Sequence, residues 1–442
     1  MNPRNNLRIA VIGSGAAGLS AAWLLSQRHQ VTLLEKDGRL GGHANTVDTG
    51  DSLSPQIDTG FIVYNEPSYP NLVNWFNALG VQTEASNMSF AVSRDQGNFE
   101  YAGGPKLGLL AQPGLLLRPR YWRMLKDLLR FYREAPKQIP HDSTTTLGQF
   151  LSEGRYSQAF LDDHLLPFAS AIWSAPTATM LDYPAAAFIR FCENHGLLQL
   201  LDRPQWRTVT GGSKSYVDAV KNAVGEQNIK TNFDSHRIER LDDQVIVHAS
   251  SGEQLQFDHV VLATHADTSL QLLDTPSTAE SMLLGAFDYE HNTAVLHTDT
   301  RYMPIRKKAW CSWNYVESHA NDDKVCVSYW MNLLQNLKTE KDYIVTLNPA
   351  SMPRDEYCLY TASYEHPVFN TSAISAQMRL WSLQGQNRTW FCGSYFGSGF
   401  HEDAVQSGLA VAEQLGQMQR PWQLDDPSYR IHIEPSMLVT PA

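Results

Sequence analysis

The chain predicts an α/β fold whose core is a Rossmann-like nucleotide-binding domain, and three observations carry that reading. Residues 8–25 run RIAVIGSGAAGLSAAWLL, an apolar strand passing through Gly13-x-Gly15-x-x-Gly18 into an alanine-rich helix. A second apolar run, VTLLEK, reaches an acid at Glu35, 22 residues after Gly13. Two further strands of buried character return much later, at Phe257–Thr264 and Thr389–Gly393. The residue types suit the chemistry. Gly13 permits the tight turn, Gly15 lets backbone approach a pyrophosphate, and Gly18 lets the helix sit close to the sheet. Ser14 and Ala17 complete the loop and first turn, where free N–H groups and the helix dipole favour phosphate. Glu35 ends its strand where a ribose hydroxyl needs an acceptor, with Lys36 beside it.

The segment after Glu35 narrows the choice of dinucleotide. A nicotinamide domain proceeds to further βα units. This chain instead gives Arg39-Leu40-Gly41-Gly42-His43, then Asn45-Thr46, then Ile57-Asp58-Thr59-Gly60-Phe61. A second small-residue loop and an Asp-x-Gly turn suit an extended cofactor that needs more backbone contacts. Here the sequence resembles the flavin-containing amine oxidase and phytoene desaturase superfamily, with its fingerprint followed by R-x-G-G. The resemblance implies extended FAD, with Arg39, Gly41, Gly42, His43, Thr59, Gly60 and Phe61 among its contacts. Two later blocks match the same superfamily. Gly211-Gly212-Ser213 opens a helix over Tyr216–Val224. Ile229–Leu241 and Val245–Ala249 follow as strands, with the Ile238 backbone expected against adenine and Ala263 at the end of the next strand. Near the C-terminus, Gly393-Ser394 and a Gly397/Gly399 loop lead into a helix over His401–Leu415. There Gly399, Phe400 and His401 are expected at the pyrimidine end of the isoalloxazine, where the helix dipole stabilises developing negative charge.

The fold class is then α/β: a discontinuous Rossmann-like FAD-binding domain with an inserted α+β substrate domain, the amine-oxidase-like two-domain architecture. We expect FAD-binding segments at 1–84, 204–272 and 384–420. The substrate domain takes 85–203, largely helical, and 273–383, rich in strands such as Thr293–His297, Ala309–Val316 and Lys324–Met331. Residues 421–442, with Pro421, Pro427, Pro435 and Pro441, are expected as an irregular tail over the surface. At 442 residues the chain can bury a large core divided into two domains. Its net charge of −11 argues against a general nucleic-acid binder. The five cysteines are scattered with no C-x-x-C pair, which fits reduced thiols in the cytoplasm. No apolar window spans a membrane, and a fingerprint strand starting at residue 8 leaves no room for a signal peptide.

Flavin chemistry asks the protein mainly to shape a pocket, exclude water and orient a C–H bond. Amine-oxidising relatives bring a lysine to the flavin N5 through water. Here that position falls near His291-Asn292, and the tandem Lys307-Lys308 reads as a solvated turn. Relatives also carry an acid just after the glycine of Gly393-Ser394-Tyr395; Ser394 is a weaker acceptor, and Tyr395 is placed at the sugar or the pocket. Phe400 keeps the aromatic wall of the substrate cage without a phenol, with Trp173, in Ile172-Trp173-Ser174, as a second wall. His43 stands where arginine is common, either close to the flavin and titrating near neutrality or bonded to pyrophosphate or backbone. His401 is a second candidate for tuning protonation. The histidines show no metal-ligand spacing, and no metal is expected.

Residues 106–137, KLGLLAQPGLLLRPRYWRMLKDLLRFYREAPK, carry eight cations (Lys106, Arg118, Arg120, Arg123, Lys126, Arg130, Arg133, Lys137) against Asp127 and Glu134. Basic apolar helices of this kind lie in an anionic bilayer interface; the other reading is a helix pair packed on the flavin domain with its arginines in solvent. Gly42-His43-x-Asn45-Thr46-Val47-Asp48, Asn194-His195-Gly196-Leu197-Leu198 and Phe400-His401-Glu402-Asp403 resemble a bacterial group of FAD-dependent oxidoreductases. Genes of that group often accompany cyclopropane-fatty-acid synthase-type methyltransferases. The likeness implies hydride transfer between a fatty-acyl chain and flavin N5, of desaturase or isomerase type. The alternatives are oxidation of a small amine, and a flavoprotein without turnover that partners a lipid methyltransferase.

Overall fold

The computed structural model describes residues 6–50, 55–103, 108–138, 145–173, 177–199, 202–317 and 326–433. Lys106, Ser174, Lys324, Pro435 and Pro441, which figure in the sequence reading, lie outside the described residues. Five parallel strands form the nucleotide-binding sheet, in the order Ile229–Lys230, Gln30–Leu34, Arg8–Ile12, His259–Leu262, Thr389–Phe391. Parallel strands covered on both faces need continuous apolar runs, which is what Ile9–Ile12 and Val260–Leu262 supply. The helix Ala16–Leu25 is buried along its whole length. It lies against the last helix, His401–Gly416. A Cβ on Gly408 would run into the Ala17 carbonyl oxygen and the Ser20 hydroxyl, so that contact depends on glycine.

The stretch expected as one strand from Ile229 to Leu241 is two. Ile229–Lys230 extends the parallel sheet, while Ser235–Arg240 starts an antiparallel meander with Val245–Ala249 and Gln254–Phe257. The break falls at Thr231–Asp234, where Asn232 adopts a left-handed φ of 55°, a conformation that ends a strand.

A seven-stranded sheet roofs this core, in the order Cys358–Val368, Asp288–His297, Ile344–Leu347, Val327–Trp330, Trp313–Val316, Phe90–Arg94, Phe99–Gly103. Its last two strands come from the stretch read as largely helical, so 85–203 is mixed. The strand expected from Ala309 starts only at Trp313, after a short turn at Lys307–Ala309. The helix Leu166–Trp173 packs on the strand Trp313–Val316, and the helices Leu147–Glu153 and Ala185–Asn194 pack on each other. The basic segment forms two short turns, Gly108–Leu110 and Pro113–Leu117, and one helix, Pro119–Gln138, rather than a helix pair. That helix buries Tyr121 and Met124 with Phe99, Tyr101 and Leu115, and Phe131 against Phe160 and Phe188, all in the inserted segment itself. Among the described residues no helix is long and apolar enough to cross a membrane.

Among the described residues, the tail from Pro421 to Ile433 is irregular but docked. Trp422 stacks on Trp23 at 5.9 Å, Arg420 is buried against Glu413 and Asn71, and Arg430 donates to the Ser68 carbonyl. The expectation of a surface tail missed these anchors because Trp23, Ser68 and Asn71 lie hundreds of residues away.

Candidate active site

A cavity of about 970 Å³ runs from the glycine loop to the inserted helices. At its nucleotide end, Glu35 Oε2 accepts hydrogen bonds from the Ser14 N–H (2.9 Å) and hydroxyl (2.5 Å), and Oε1 accepts from the Asp37 N–H (3.0 Å). A carboxylate has about four acceptor sites, so Glu35 can hold the loop and still receive a ribose hydroxyl. Nothing stands within 4 Å of where a Cβ on Gly15 would project, whereas one on Gly18 would meet the Gly13 carbonyl and Ala263. Gly15 is thus the cradle, and Gly18 the packing glycine that does not line the cavity. Lys36, Arg39, Gly41, Gly42, Thr59, Gly60, Phe61, Ala263, Gly393, Ser394 and Gly399 all line it. Asp58 fixes the turn that presents Thr59–Phe61: it accepts from the Ser213 N–H (2.9 Å) and hydroxyl (2.7 Å) and the Gln335 amide (3.0 Å). An extended dinucleotide fits this set, because backbone lies open beside Gly15 and a buried, unpartnered His43 Nε2 remains on the wall. FAD bound there would supply the two-electron ring, while the chain supplies the walls.

Three expectations are corrected. Ile238 does not line the cavity; its carbonyl accepts from the Asp274 N–H at 3.1 Å, and the wall is made by Phe233–His236 instead. His401 lines the cavity, but its ring is spent in packing. It stacks on Phe61 at 3.7 Å, its Nε2 pairs with the Tyr216 hydroxyl at 3.2 Å, and burial pushes its pKa down to about 3. His43 does not titrate near neutrality: burial, then the neighbouring His366, His265, His401 and Arg39, hold it well below its usual range. Tyr395 contributes to the wall, yet its ring is 1% exposed between Phe287 (5.3 Å) and Phe396 (4.9 Å).

Phe400 lines the cavity, stacked on Phe191 at 4.6 Å and edge-on to Trp173 at 6.4 Å. Phe191 and His195 were not singled out for the pocket. They lie at i and i+4 on the helix Ala185–Asn194 and its cap, so their rings stack, 3.9 Å apart. His195 Nε2 meets the Tyr69 hydroxyl at 3.3 Å, and burial pushes its pKa down to about 3, so this lobe is uncharged.

Near His291-Asn292, where a lysine was expected by analogy, His291 lines the cavity 3.0 Å from Glu365, and Asn292 is buried, with 1% exposure. Opposite it, Tyr364 and His366 line the cavity on alternate positions of their strand. Tyr364 stacks on His43 at 4.9 Å and shares its hydroxyl with Thr59 at 2.7 Å; His366 lies 5.4 Å from His43. No alternation marks these two, since Ser363, Glu365 and Pro367 line the cavity as well. Lys307 is exposed and 3.6 Å from Asp342, a solvated turn as read.

The comparisons agree with this geometry. Residues 16–301 match the family described as flavin containing amine oxidoreductase, and the chain belongs to that family of flavin-dependent oxidoreductases. It is 23% identical over 296 residues to a flavin-containing amine oxidase of Oncorhynchus mykiss, covering 62% of this chain and 53% of that protein. The chain spans no more than about half the length of the curated relatives it matches. Among solved structures it resembles the cyclohexylamine oxidase of Brevibacterium oxydans (15% identity, TM-score 0.65, 93% of this chain and 100% of that one). It equally resembles a fatty acid isomerase of P. acnes that produces CLA (16% identity, TM-score 0.65, 93% and 98%). Likeness at this identity shows the two-domain fold, not the substrate.

Proposed function

We propose that this FAD-dependent oxidoreductase transfers hydride between a fatty-acyl chain and flavin N5, as a desaturase or isomerase. The observation that carries the reading is the aromatic, carboxylate-free lobe made by Trp173, Phe191, Phe400 and a neutral His195. The acids on the cavity wall stand elsewhere. Glu35, Asp37 and Asp234 are at the nucleotide end, and Glu365 is paired with His265 and His291. An alkyl chain gains about 0.8 kcal/mol per buried CH₂ in such a lobe; an ammonium group would lose its hydration with no anion to replace it. The lack of a lysine near His291-Asn292 points the same way, since hydride abstraction from hydrocarbon asks for no lysine-bound water.

The surface supports delivery from a bilayer. Leu117 (88% exposed), Trp122 (53%) and Leu129 (50%) stand beside exposed Arg118, Arg123, Lys126 and Arg133. Trp122, Lys126, Leu129 and Arg133 follow helical spacing on one face, the pattern of an interfacial helix on anionic lipid. The methyltransferase partner implied by the resemblance belongs to the same proposal.

The test is anaerobic incubation of the FAD-loaded protein with membrane phospholipids and, separately, an amine panel. Flavin bleaching or a shifted double bond with lipid is the expected result. Bleaching by amines alone overturns the reading.

A further inference from the structure

The roof strands contain a hydrogen-bond relay that ends on a cavity-lining imidazole. Asn348, in a left-handed conformation (φ 48°), clamps Thr293: its N–H donates to the Thr293 carbonyl (2.8 Å), and its Oδ1 accepts the Thr293 N–H (2.9 Å). Because that N–H can only donate, the orientation of the Asn348 amide is fixed. Its Nδ2 therefore donates to Asn292 Oδ1 at 2.7 Å. The Asn292 amide is fixed in turn, and its Nδ2 donates to the Glu290 carbonyl (3.1 Å) and to His366 Nδ1 (3.1 Å). A neutral imidazole that accepts at Nδ1 carries its proton on Nε2. Burial, then neighbouring His265, pushes the His366 pKa down to about 4, so the ring is neutral near pH 7.

We propose that His366, locked by Asn348 and Asn292 as the Nε2–H tautomer, is a neutral donor for the polar edge of the flavin ring. Three features support that assignment. The imidazole lines the cavity, it sits 5.4 Å from His43, whose own Nε2 is buried without a partner, and its Nδ1 is already committed. A neutral donor strengthens as the ring gains electron density and so favours its two-electron reduced form. An imidazolium in the same place would require an anion, and the carboxylate of neighbouring Glu365 is paired with His265 (3.2 Å) and His291 (3.0 Å). The inference rests on flavin occupying the cavity, not on the lipid substrate.

The experiment uses FAD-loaded protein and no substrate, so its failure leaves the lipid reading standing. Nitrogen NMR of labelled histidine, assigned by loss of the signal in His366→Phe, should show His366 protonated at Nε2. In Asn292→Asp the carboxylate can only accept a hydrogen bond, which favours a proton on Nδ1, and the signal should change to an Nδ1–H ring or an imidazolium. In a dye-coupled redox titration, His366→Phe should lower the reduced-to-oxidised ratio at fixed potential about tenfold, roughly 30 mV for a two-electron couple. Should that variant fail to hold FAD, Asn292→Asp supplies the same potential reading and must also shift it. An Nδ1–H ring in the wild type, or an unchanged potential in the FAD-loaded variant, overturns the proposal.

Discussion

The guanidinium of Arg430, in the C-terminal tail, stands 3.6 Å from the carboxylate of Asp403, with 5% and 0% of the two side chains exposed. Asp403 in turn accepts the Phe400 N–H at 2.8 Å, so a tail residue helps fix the ring that walls the pocket. Burial raises the Asp403 pKa, and Arg430 opposes that shift. Removing one partner of a buried pair leaves the other charge uncompensated.

Arg430→Met should therefore cost about 3–5 kcal/mol of stability. Adding Asp403→Asn should restore part of the loss, a coupling of about 1–3 kcal/mol in a double-mutant cycle. Chemical denaturation of the four proteins measures it; additive losses would show that the pair is not coupled.

Acid should destabilise the protein through its buried histidines. His164, between the hydroxyls of Tyr101 (2.7 Å) and Tyr132 (3.3 Å), and His195 are both pushed by burial to about 3. The unfolded chain protonates these rings below about 6.5, so it binds more protons than the native state between about 3 and 6.5. Stability then rises with pH across that window and is lost as pH falls through it, at about 1.4 kcal/mol per pH unit for each ring. His164→Phe should remove one proton's worth of that slope, with Tyr101 still bonded to the Asp163 carbonyl at 3.0 Å. Denaturation midpoints from pH 5 to 7 give the slopes directly.

Much of the nucleotide end was legible because its signal is local. Gly13, Gly15, Gly18 and Glu35 lie within one βαβ unit, and each residue type has a single backbone or hydrogen-bonding reason to be there. The last helix was legible too, to within a residue of its observed end at Gly416. The strand break after Lys230 was less so, since a left-handed Asn232 costs nothing visible in an apolar pattern. The pocket walls were the hardest. Phe191 comes from the helix Ala185–Asn194 and Tyr364 and His366 from the strand Cys358–Val368, elements far apart in sequence that only the tertiary fold brings to one cavity. The two readings of His43 could not be separated in the sequence for the same reason, because burial is a tertiary property.

Gly408→Val should push the last helix away from Ala17 and Ser20 and loosen the fingerprint loop. Overpacking of this kind costs about 1–3 kcal/mol or more. The expected outcome is a lower melting temperature and loss of FAD on gel filtration; full retention would show that the helices can part without disturbing the site.

Membrane docking predicts a charge- and patch-dependent result. Vesicles containing phosphatidylglycerol should float the wild type, and Arg118→Glu with Arg123→Glu and Lys126→Glu should abolish flotation. Leu117→Asp should weaken it even at low salt, where pure electrostatics would persist. Equal flotation of all three proteins, or flotation on neutral vesicles alone, contradicts the docking face.

The most direct measurement follows deuterium from a labelled acyl chain. The FAD-loaded protein is incubated without oxygen with phospholipids carrying perdeuterated acyl chains, and the lipids are read by mass spectrometry. A chain that loses deuterium, or carries it with a displaced double bond, only when FAD is bound is the predicted result. Lipids recovered with every deuterium in place, while an amine is oxidised under the same conditions, would contradict hydride transfer from hydrocarbon.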